Sequence, residues 1–204
     1  MNIGLIGAGN IGATAARLFL AAGHSVALSN SRGPDTLRDL VDDLGEGAQA
    51  MTVETAAAFG GVAMEAIPYG HVESLPADAL ADTILISASN YYPQRDGEID
   101  FDGQTQTERL AAMLPETRVV KAFNTIYFEH LRDQGDPSAP MDERRVIPLA
   151  GDDPKAKAVV AGLIEEIGFA PLDLGSLRDS HRMEPGQPIY NRALTRPEAQ
   201  ALVA

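Results

Sequence analysis

The first 32 residues, MNIGLIGAGNIGATAARLFLAAGHSVALSNSR (Met1–Arg32), decide the fold of this chain. An apolar run, Asn2–Ile6, leads into GAGNIG at residues 7–12, and an amphipathic segment then extends to Ala22. The hexapeptide fits G-x-G-x-x-G between a predicted strand and a predicted helix. In that setting the glycines allow a tight turn, close approach of a pyrophosphate and close helix–strand packing. The N–H groups of the helix N-terminus would face the phosphates. The pattern predicts a dinucleotide site formed by Gly7, Gly9, Asn10, Ile11 and Gly12.

The end of the second apolar run, Val26–Leu28, indicates which dinucleotide binds. An NAD-binding unit usually carries an Asp or Glu about 20 residues after the glycines, where it bonds the ribose hydroxyls. This chain has Ser-Asn-Ser-Arg at residues 29–32 instead. A 2′-phosphate can accept from the Ser31 hydroxyl and pair with the Arg32 guanidinium, which can also lie over the adenine. The alternative is an ordinary polar turn. We expect NADP(H) rather than NAD(H), bound by Ser29, Asn30, Ser31 and Arg32.

Composition limits the classes of protein to consider. The chain has 204 residues, 45% of them hydrophobic and 22% charged, which predicts one globular domain. A net charge of −13 argues against nucleic-acid and anionic-membrane partners. The absence of cysteine excludes disulfides, thiolate metal sites and thiol nucleophiles, and we predict no metal site. Because the chain starts with a strand-like run and lacks a long apolar segment, we expect a cytoplasmic protein.

Strand-like and helix-like segments alternate along the rest of the chain. We expect strands near residues 49–51, 61–67, 83–87, 118–123, 146–149 and 170–174, with helices near 34–44, 53–59, 75–80, 105–114, 124–131 and 154–167. This alternation predicts an α/β fold: a doubly wound, mostly parallel, Rossmann-type sheet of about eight strands. We expect a single domain over residues 1–204. Its C-terminal tail, residues 176–204, would cover the site or a subunit interface.

In such a sheet, ligands bind beyond the carboxyl ends of the strands. Four loops are therefore expected to matter besides the glycine turn, namely those that follow residues 67, 87, 123 and 173. In the first two, Ile67, Pro68 and Ser89 are predicted to contact the cofactor, and Asn90 and Tyr91 the second substrate. Tyr91, Tyr92 and Arg95 form a basic, aromatic stretch that either recognises a planar anion or packs as a surface loop.

Several motifs in a fixed order connect this chain to a known family. They are GAGNIG at 7–12, Ser31-Arg32, KAFN at 121–124, GDD at 151–153 and FAPLDLGSL at 169–177. Together they resemble the F420-dependent NADP reductase family, whose members pass a hydride between NADP(H) and the deazaflavin coenzyme F420. The chain is also similar to the oxidoreductase domain of STEAP metalloreductases, which passes a hydride from NADPH to a flavin.

The resemblance implies an NADP site at the glycine turn and at Ser31-Arg32. It also implies an acceptor that stacks over the nicotinamide near Asn124, Thr125 and Ile126. The family tends to carry His at the position of Asn124. An amide donates and accepts hydrogen bonds but cannot change charge near neutral pH. We therefore predict that Asn124 orients the acceptor or the cofactor carboxamide, as the residue closest to the chemistry.

The sequence thus predicts an NADP-dependent oxidoreductase that transfers a hydride between NADPH and a small-molecule acceptor, either flavin-like or a deazaflavin (F420). Because hydride transfer between stacked rings is cofactor chemistry, no general acid is required. Two alternatives stay open: an NADPH-dependent reductase of a small imine or carbonyl substrate, which needs a proton donor, and a non-catalytic NADP(H)-sensing protein. We expect a homodimer, because so short a chain offers little of its own to cover an acceptor.

Three further features each have two interpretations. Lys121, at the end of the sixth predicted strand, contacts a phosphate or pairs with a neighbouring carboxylate. His181 folds over the site or lies on the surface. Asp152-Asp153 resembles a metal-binding pair, but Pro154 follows it, and this order favours a helix N-cap.

Overall fold

The alternating apolar runs form an eight-stranded sheet in a computed structural model that describes residues 1–203. The strands are β1 (Asn2–Ile6), β2 (Ser25–Ser29), β3 (Ala48–Ala50), β4 (Val62–Glu65), β5 (Ile84–Ser87), β6 (Arg118–Ala122), β7 (Val146–Gly151) and β8 (Ala170–Asp173). Their spatial order is β3-β2-β1-β4-β5-β6-β7-β8, and all neighbours are parallel except β6 and β7. The predicted α/β fold with a mostly parallel sheet is confirmed.

Helices connect the strands and cover the sheet. They are α1 (Asn10–Ala21), α2 (Arg38–Leu44), α3 (Val53–Ala57), α4 (Ala77–Leu80), α5 (Pro93–Asp96), α6 (Gln106–Met113), α7 (Phe128–Asp133), α8 (Pro154–Glu166) and α9 (Arg196–Val203). Short 3₁₀ segments lie at Pro34–Leu37, Tyr69–Ser74, Met141–Glu143 and Leu177–Met183. None of the helices in residues 1–203 combines the length and the apolar character that crossing a membrane requires.

The core follows the two-residue period of the strands. Ile3 and Leu5 of β1 pack into the cluster on one face of the sheet, whereas Ile6 packs into the cluster on the other. Successive side chains of a strand point to opposite faces, so a strand with apolar residues at every position becomes buried on both. A third cluster joins β7 and β8 to the C-terminal residues Met183, Ile189, Leu194 and Ala199.

The ligand-binding edge of this sheet lies where the chain order reverses. β1 lies between β2 and β4. From β1 the chain continues to β2 and β3 on one side and then crosses to β4 on the other side. Such a switch point opens a crevice at the carboxyl ends of the central strands. The glycine turn, residues 7–9, lies at this point, directly between β1 and α1.

The reversed strand β7 corrects one expectation. β7 runs antiparallel to β6, and β8 runs parallel to β7, so the carboxyl ends of β7 and β8 lie at the opposite edge of the sheet. The loop after Asp173 was expected at the ligand-binding edge, and that prediction is wrong. Asp153 is the N-cap of α8, since its Oδ1 accepts from the N–H groups of Lys155 (2.7 Å) and Ala156 (3.0 Å), as predicted. Among residues 1–203 no group of three or more His, Cys, Asp or Glu could hold a metal ion.

Three other predicted boundaries differ from those in the structure. The helix expected from residue 124 begins only at Phe128, because Phe123 has a φ of +64° and turns the chain sharply after β6. The stretch between the predicted strand at 83–87 and the predicted helix at 105–114 contains the short helix α5. The segment 34–44 is divided between a 3₁₀ turn and α2.

The glycine turn makes a prediction about stability. A Cβ on Gly12 would lie 1.9 Å from the Gly7 carbonyl oxygen. We expect Gly12→Ala to lower the free energy of unfolding by about 1–3 kcal/mol, because this overpacking outweighs the roughly 1 kcal/mol gain in helix propensity. Urea denaturation measures the change. Gly9→Ala is the matched control, since a Cβ there meets no atom within 4 Å and its φ is −76°. Equal losses in both variants would contradict this packing argument.

Candidate functional site

The N-terminus of α1 presents unoccupied donors at the switch point. Gly9 is the N-cap, no side chain caps the helix, and the first turn contains no acidic residue. Gly7 has a φ of +105°, which favours glycine, and Gly12 is buried against it. Gly9 is exposed, with no atom within 4 Å of a Cβ built on it. Packing within the protein does not require a glycine at position 9. A pyrophosphate that lies against the backbone would require one.

The loop after β2 presents two exposed residues at its tip. The Asn30 Oδ1 accepts from the Arg32 N–H at 2.9 Å and so holds the turn. Ser31 and Arg32 are exposed, and the Arg32 guanidinium has no hydrogen bond or ion pair within residues 1–203. Asp35 pairs with Arg38 (2.5 Å) and leaves Arg32 free. This arrangement fits a phosphate on an adenosine ribose.

Ser29, which was grouped with these residues, is placed differently. It is fully buried in β2, and its hydroxyl donates to the Leu5 carbonyl oxygen at 3.0 Å. The hydroxyl is therefore used inside the sheet, and the exposed donors of this loop are those of Ser31 and Arg32.

A cleft of about 350 Å³ opens beside the glycine turn at the carboxyl ends of β4, β5 and β6. The structure brings together there most of the residues predicted from separate loops: Asn10, Ile11, Ile67, Pro68, Ser89, Asn90, Asn124 and Ile126. Residues that we did not select also line it, including Tyr127, Phe128, Tyr190 and Asn191. Thr125 is buried behind the wall, and its carbonyl oxygen accepts from the Asn191 N–H at 3.1 Å.

Asn124 is held in one orientation with one unused acceptor. Its side chain is 95% buried, and its Nδ2 donates to the Asn90 Oδ1 (2.9 Å) and the Met183 carbonyl oxygen (2.7 Å). Both partners are acceptors, so a flipped amide would place oxygen against oxygen. The Asn124 Oδ1 has no partner in the described chain. A buried acceptor without a donor is unfavourable, and a ligand N–H that reached it would remove that cost.

The C-terminal segment contributes the far wall of the cleft. The hydroxyl groups of Tyr190 and Tyr92 lie 2.6 Å apart, and burial raises the pKa of Tyr190. The Arg95 guanidinium lies 5.1 Å from the centre of the Tyr92 ring and donates to the Asn90 carbonyl oxygen at 2.6 Å. Arg95 also pairs with Asp96 and lowers the pKa of that carboxyl to about 2. No local pattern in the sequence indicated that Tyr190 would meet residues a hundred positions earlier.

Tyr91 faces a second cavity instead of the cleft. Its ring packs edge-on against Phe101 with centroids 5.0 Å apart, and its hydroxyl donates to the Gly97 carbonyl oxygen. The second cavity, about 590 Å³, shares Tyr92 with the cleft and is also lined by Arg178, His181 and Glu184. His181 is exposed there, and its Nδ1 lies 2.9 Å from the Arg178 carbonyl oxygen.

Two oppositely charged side chains are buried behind the cleft. Glu65 at the end of β4 and Lys121 near the end of β6 are both fully buried. The Lys121 ammonium donates to the Ser89 carbonyl oxygen and is attracted by Glu65. The direct partner of Lys121 is thus a carbonyl oxygen, and within residues 1–203 no carboxylate lies close enough to form the ion pair of the second interpretation. Sequence reasoning missed Glu65, although it is the one acidic residue in an otherwise apolar strand.

Known proteins share this fold and its sequence pattern. Residues 2–91 match the family described as NADP oxidoreductase, coenzyme F420-dependent. The crystal structure of a hypothetical protein, SMa0349, from Sinorhizobium meliloti is 32% identical, with a TM-score of 0.84 and coverage of 96% of this chain and 95% of that one. A structure from Arthrobacter sp. FB24, assigned as an F420-dependent NADP reductase, is 24% identical, with a TM-score of 0.73 and coverage of 88% and 86%.

Curated relatives extend the likeness across most of the chain. Metalloreductase STEAP3 from Rattus norvegicus is 33% identical over 184 residues, which make up 89% of this chain and 35% of the relative. The chain spans about a third of the length of the curated relatives that it matches.

The exposed guanidinium of Arg32 makes a prediction about cofactor choice. We expect Arg32→Ala to weaken NADPH binding about 10- to 100-fold and to leave NADH binding nearly unchanged, because a hydrogen bond to a charged group contributes roughly 1.5–3 kcal/mol. Titration calorimetry with both nucleotides measures the two affinities. Arg38→Ala, which removes an exposed arginine that pairs with Asp35, serves as the control and should retain the preference. If Arg32→Ala also retains it, the 2′-phosphate binds elsewhere.

Proposed function

Because the chain belongs to the family of coenzyme F420-dependent NADP oxidoreductases, we propose that it transfers a hydride between NADPH and a flavin-like or deazaflavin acceptor. The relatives point to more than one acceptor: the Arthrobacter protein is assigned as an F420-dependent NADP reductase and the rat protein as a metalloreductase. A planar ring that accepts a hydride is the chemistry that a deazaflavin and a flavin have in common.

The unused Oδ1 of Asn124 is the observation that supports this proposal best. Asn124 lines the cleft that begins at the N-terminus of α1, where a dinucleotide would place its phosphates, and its Oδ1 is buried there without a hydrogen-bond partner in residues 1–203. NADPH, when bound, supplies the hydride and a carboxamide that can donate to an oxygen. Asn90 and Met183 hold the Asn124 amide from behind, so its oxygen is oriented before any ligand arrives. Such preorganisation fixes the relative position of two rings at little entropic cost.

The side chains around the cleft favour a ring acceptor over an imine or carbonyl substrate. Within the described chain no His, Asp, Glu or Lys lines it. Arg95 is paired with Asp96, and the raised pKa of Tyr190 makes that phenol a weak acid. A small carbonyl or imine needs a proton as well as a hydride, whereas transfer between two stacked rings does not require a protein acid.

The second cavity offers room for an acceptor that is longer than its reacting ring. It adjoins the cleft at Tyr92 and is bounded by the rings of Tyr91 and Phe101. A flavin or deazaflavin carries a polyhydroxylated side chain on its ring. With the ring in the cleft, that chain could extend past Tyr92 toward Glu184, whose buried Oε1 has no hydrogen-bond partner in residues 1–203.

The reaction class is tested by NADPH oxidation with F420, FMN, FAD and riboflavin as separate acceptors. We expect turnover with at least one of the four and a strong preference for NADPH over NADH. A Tyr190→Phe variant should retain that turnover, because no phenolic proton is required. Tight NADPH binding without oxidation by any of the four would favour a small-substrate reductase or a nucleotide sensor.

Asn124 itself makes the second prediction of this section. We expect Asn124→Leu to lower turnover roughly 10-fold or more, equivalent to at least about 1.4 kcal/mol of transition-state stabilisation, and to weaken NADPH binding less than that, because Arg32 and the N-terminus of α1 would still bind the phosphates. Steady-state kinetics and direct titration separate the two quantities. Asn2→Leu, at the exposed start of β1, is the control and should change neither. Unchanged turnover in Asn124→Leu would place the acceptor elsewhere.

A further inference from the structure

A single carboxylate connects the ends of two strands beneath the cleft. The Glu65 Oε1 accepts from the hydroxyl groups of Ser87 (2.6 Å) and Ser89 (2.8 Å), and weakly from the Ser89 N–H (3.4 Å). The Glu65 Oε2 accepts from the Ile67 N–H at 3.4 Å. Glu65 therefore holds both the loop after β4 and the loop after β5, each of which lines the cleft.

Lys121 brings the third loop into the same network. Its Nζ donates to the Ser89 carbonyl oxygen, and three residues later the chain reaches Asn124. The side chain is fully buried, unlike the other two lysines, Lys155 and Lys157. Burial lowers the pKa of Lys121 to about 8 and raises that of Glu65, and the attraction between them opposes both shifts.

This arrangement is costly for a fold that needs stability alone. Removing two charges from water is expensive, and buried ion pairs are frequently no more stabilising than well-packed apolar residues. Glu65 is the one charged residue of β4, and Lys121 follows the apolar residues Val119 and Val120 of β6, whose other charged residue, Arg118, is exposed at the start of the strand. Their hydrogen bonds end on residues of the cleft loops, Ile67 and Ser89, and on Ser87 just before one of them.

We propose that Glu65 and Lys121 are positioning residues for the hydride-transfer site. Glu65, as a carboxylate, fixes the loops that hold the nicotinamide through Ile67 and Ser89, and Lys121 holds the second of these loops through the Ser89 carbonyl oxygen. The inference rests on the proposed function, since it assigns the cleft to the nicotinamide and the acceptor. An ionised carboxylate accepts from all of its donors at once. A protonated one must donate from one oxygen, and so it releases part of the network.

The pair makes a prediction about pH. The other charged or titratable groups that interact electrostatically with these two side chains are Glu184, which acts on Lys121, and Tyr69, which interacts with Glu65. Removing the Lys121 charge raises the pKa of Glu65 further, because burial is then opposed by hydrogen bonds alone. We expect the turnover of Lys121→Met to fall as the pH decreases, with a midpoint above that of the wild type. Glu65→Gln should abolish this dependence, since an amide does not titrate.

The decisive experiment compares Glu65→Gln and Lys121→Met with the exposed controls Glu46→Gln and Lys155→Met. Affinity for 2′,5′-ADP, which lacks the nicotinamide, reports on the Ser31-Arg32 end of the site and on the integrity of the fold. We expect this affinity to stay unchanged in all four variants. Turnover at saturating NADPH and acceptor should fall about 10- to 100-fold in the two buried variants only, because small misplacements of reacting groups have effects of this size.

Separate outcomes distinguish the inference from the proposed function. If none of the acceptors supports NADPH oxidation by the wild type, the proposed function fails. The fluorescence of bound NADPH then tests the positioning of the nicotinamide directly. The inference is supported if NADPH fluorescence increases on binding to the wild type but not on binding to Glu65→Gln, while the variant retains its affinity for 2′,5′-ADP. Wild-type turnover, pH profile and fluorescence in the buried variants would overturn it. Ser87→Ala is a further variant, which removes one hydrogen bond to Glu65 from a residue outside the cleft. If Lys121→Met does not fold, wild-type turnover and fluorescence in both Ser87→Ala and Glu65→Gln would overturn the inference.

Discussion

The close contact between α1 and the glycine turn is the constraint on which the site depends. Because Gly12 has no side chain, its Cα can approach the Gly7 carbonyl oxygen, and α1 starts directly above the end of β1. The uncapped N-terminus of α1 then faces the crevice where the chain order of the sheet reverses. Every other element of the site is arranged around this one, since the parallel strands β4 and β5 end at the same edge.

The reversal at β7 explains how a short chain encloses its own cleft. With β7 and β8 running against the other strands, the chain leaves the sheet at the edge opposite to the ligands. The segment that follows residue 177 has to return along the molecule, and it reaches the cleft at Met183, Tyr190 and Asn191. The last residues then pack against β7 and β8 in a cluster of their own. The tail thereby forms part of the wall.

Polar groups around the cleft are divided into two layers with different roles. The outer layer, which includes Asn124 and Tyr190, lines the cleft and contains no residue that changes charge near neutral pH. The inner layer contains the charges of Glu65 and Lys121, which burial separates from water. Charge is thus placed where it can orient loops. The surface of the cleft itself is neutral, apart from Arg95, which is paired with Asp96.

The sequence by itself determined the secondary-structure elements and the loops that carry the predicted cofactor residues. Periodicity and the glycine pattern are local properties, so β1, α1, the N-cap at Asp153 and the turn at Ser31-Arg32 could all be predicted from short stretches. Most cleft residues followed from the rule that parallel strands end together. Only the tertiary structure decided the direction of β7, the return of Tyr190 to the cleft and the meeting of Glu65 and Lys121 at Ser89. These depend on contacts between residues far apart in the chain, and no local pattern encodes which distant partner a buried polar group will find.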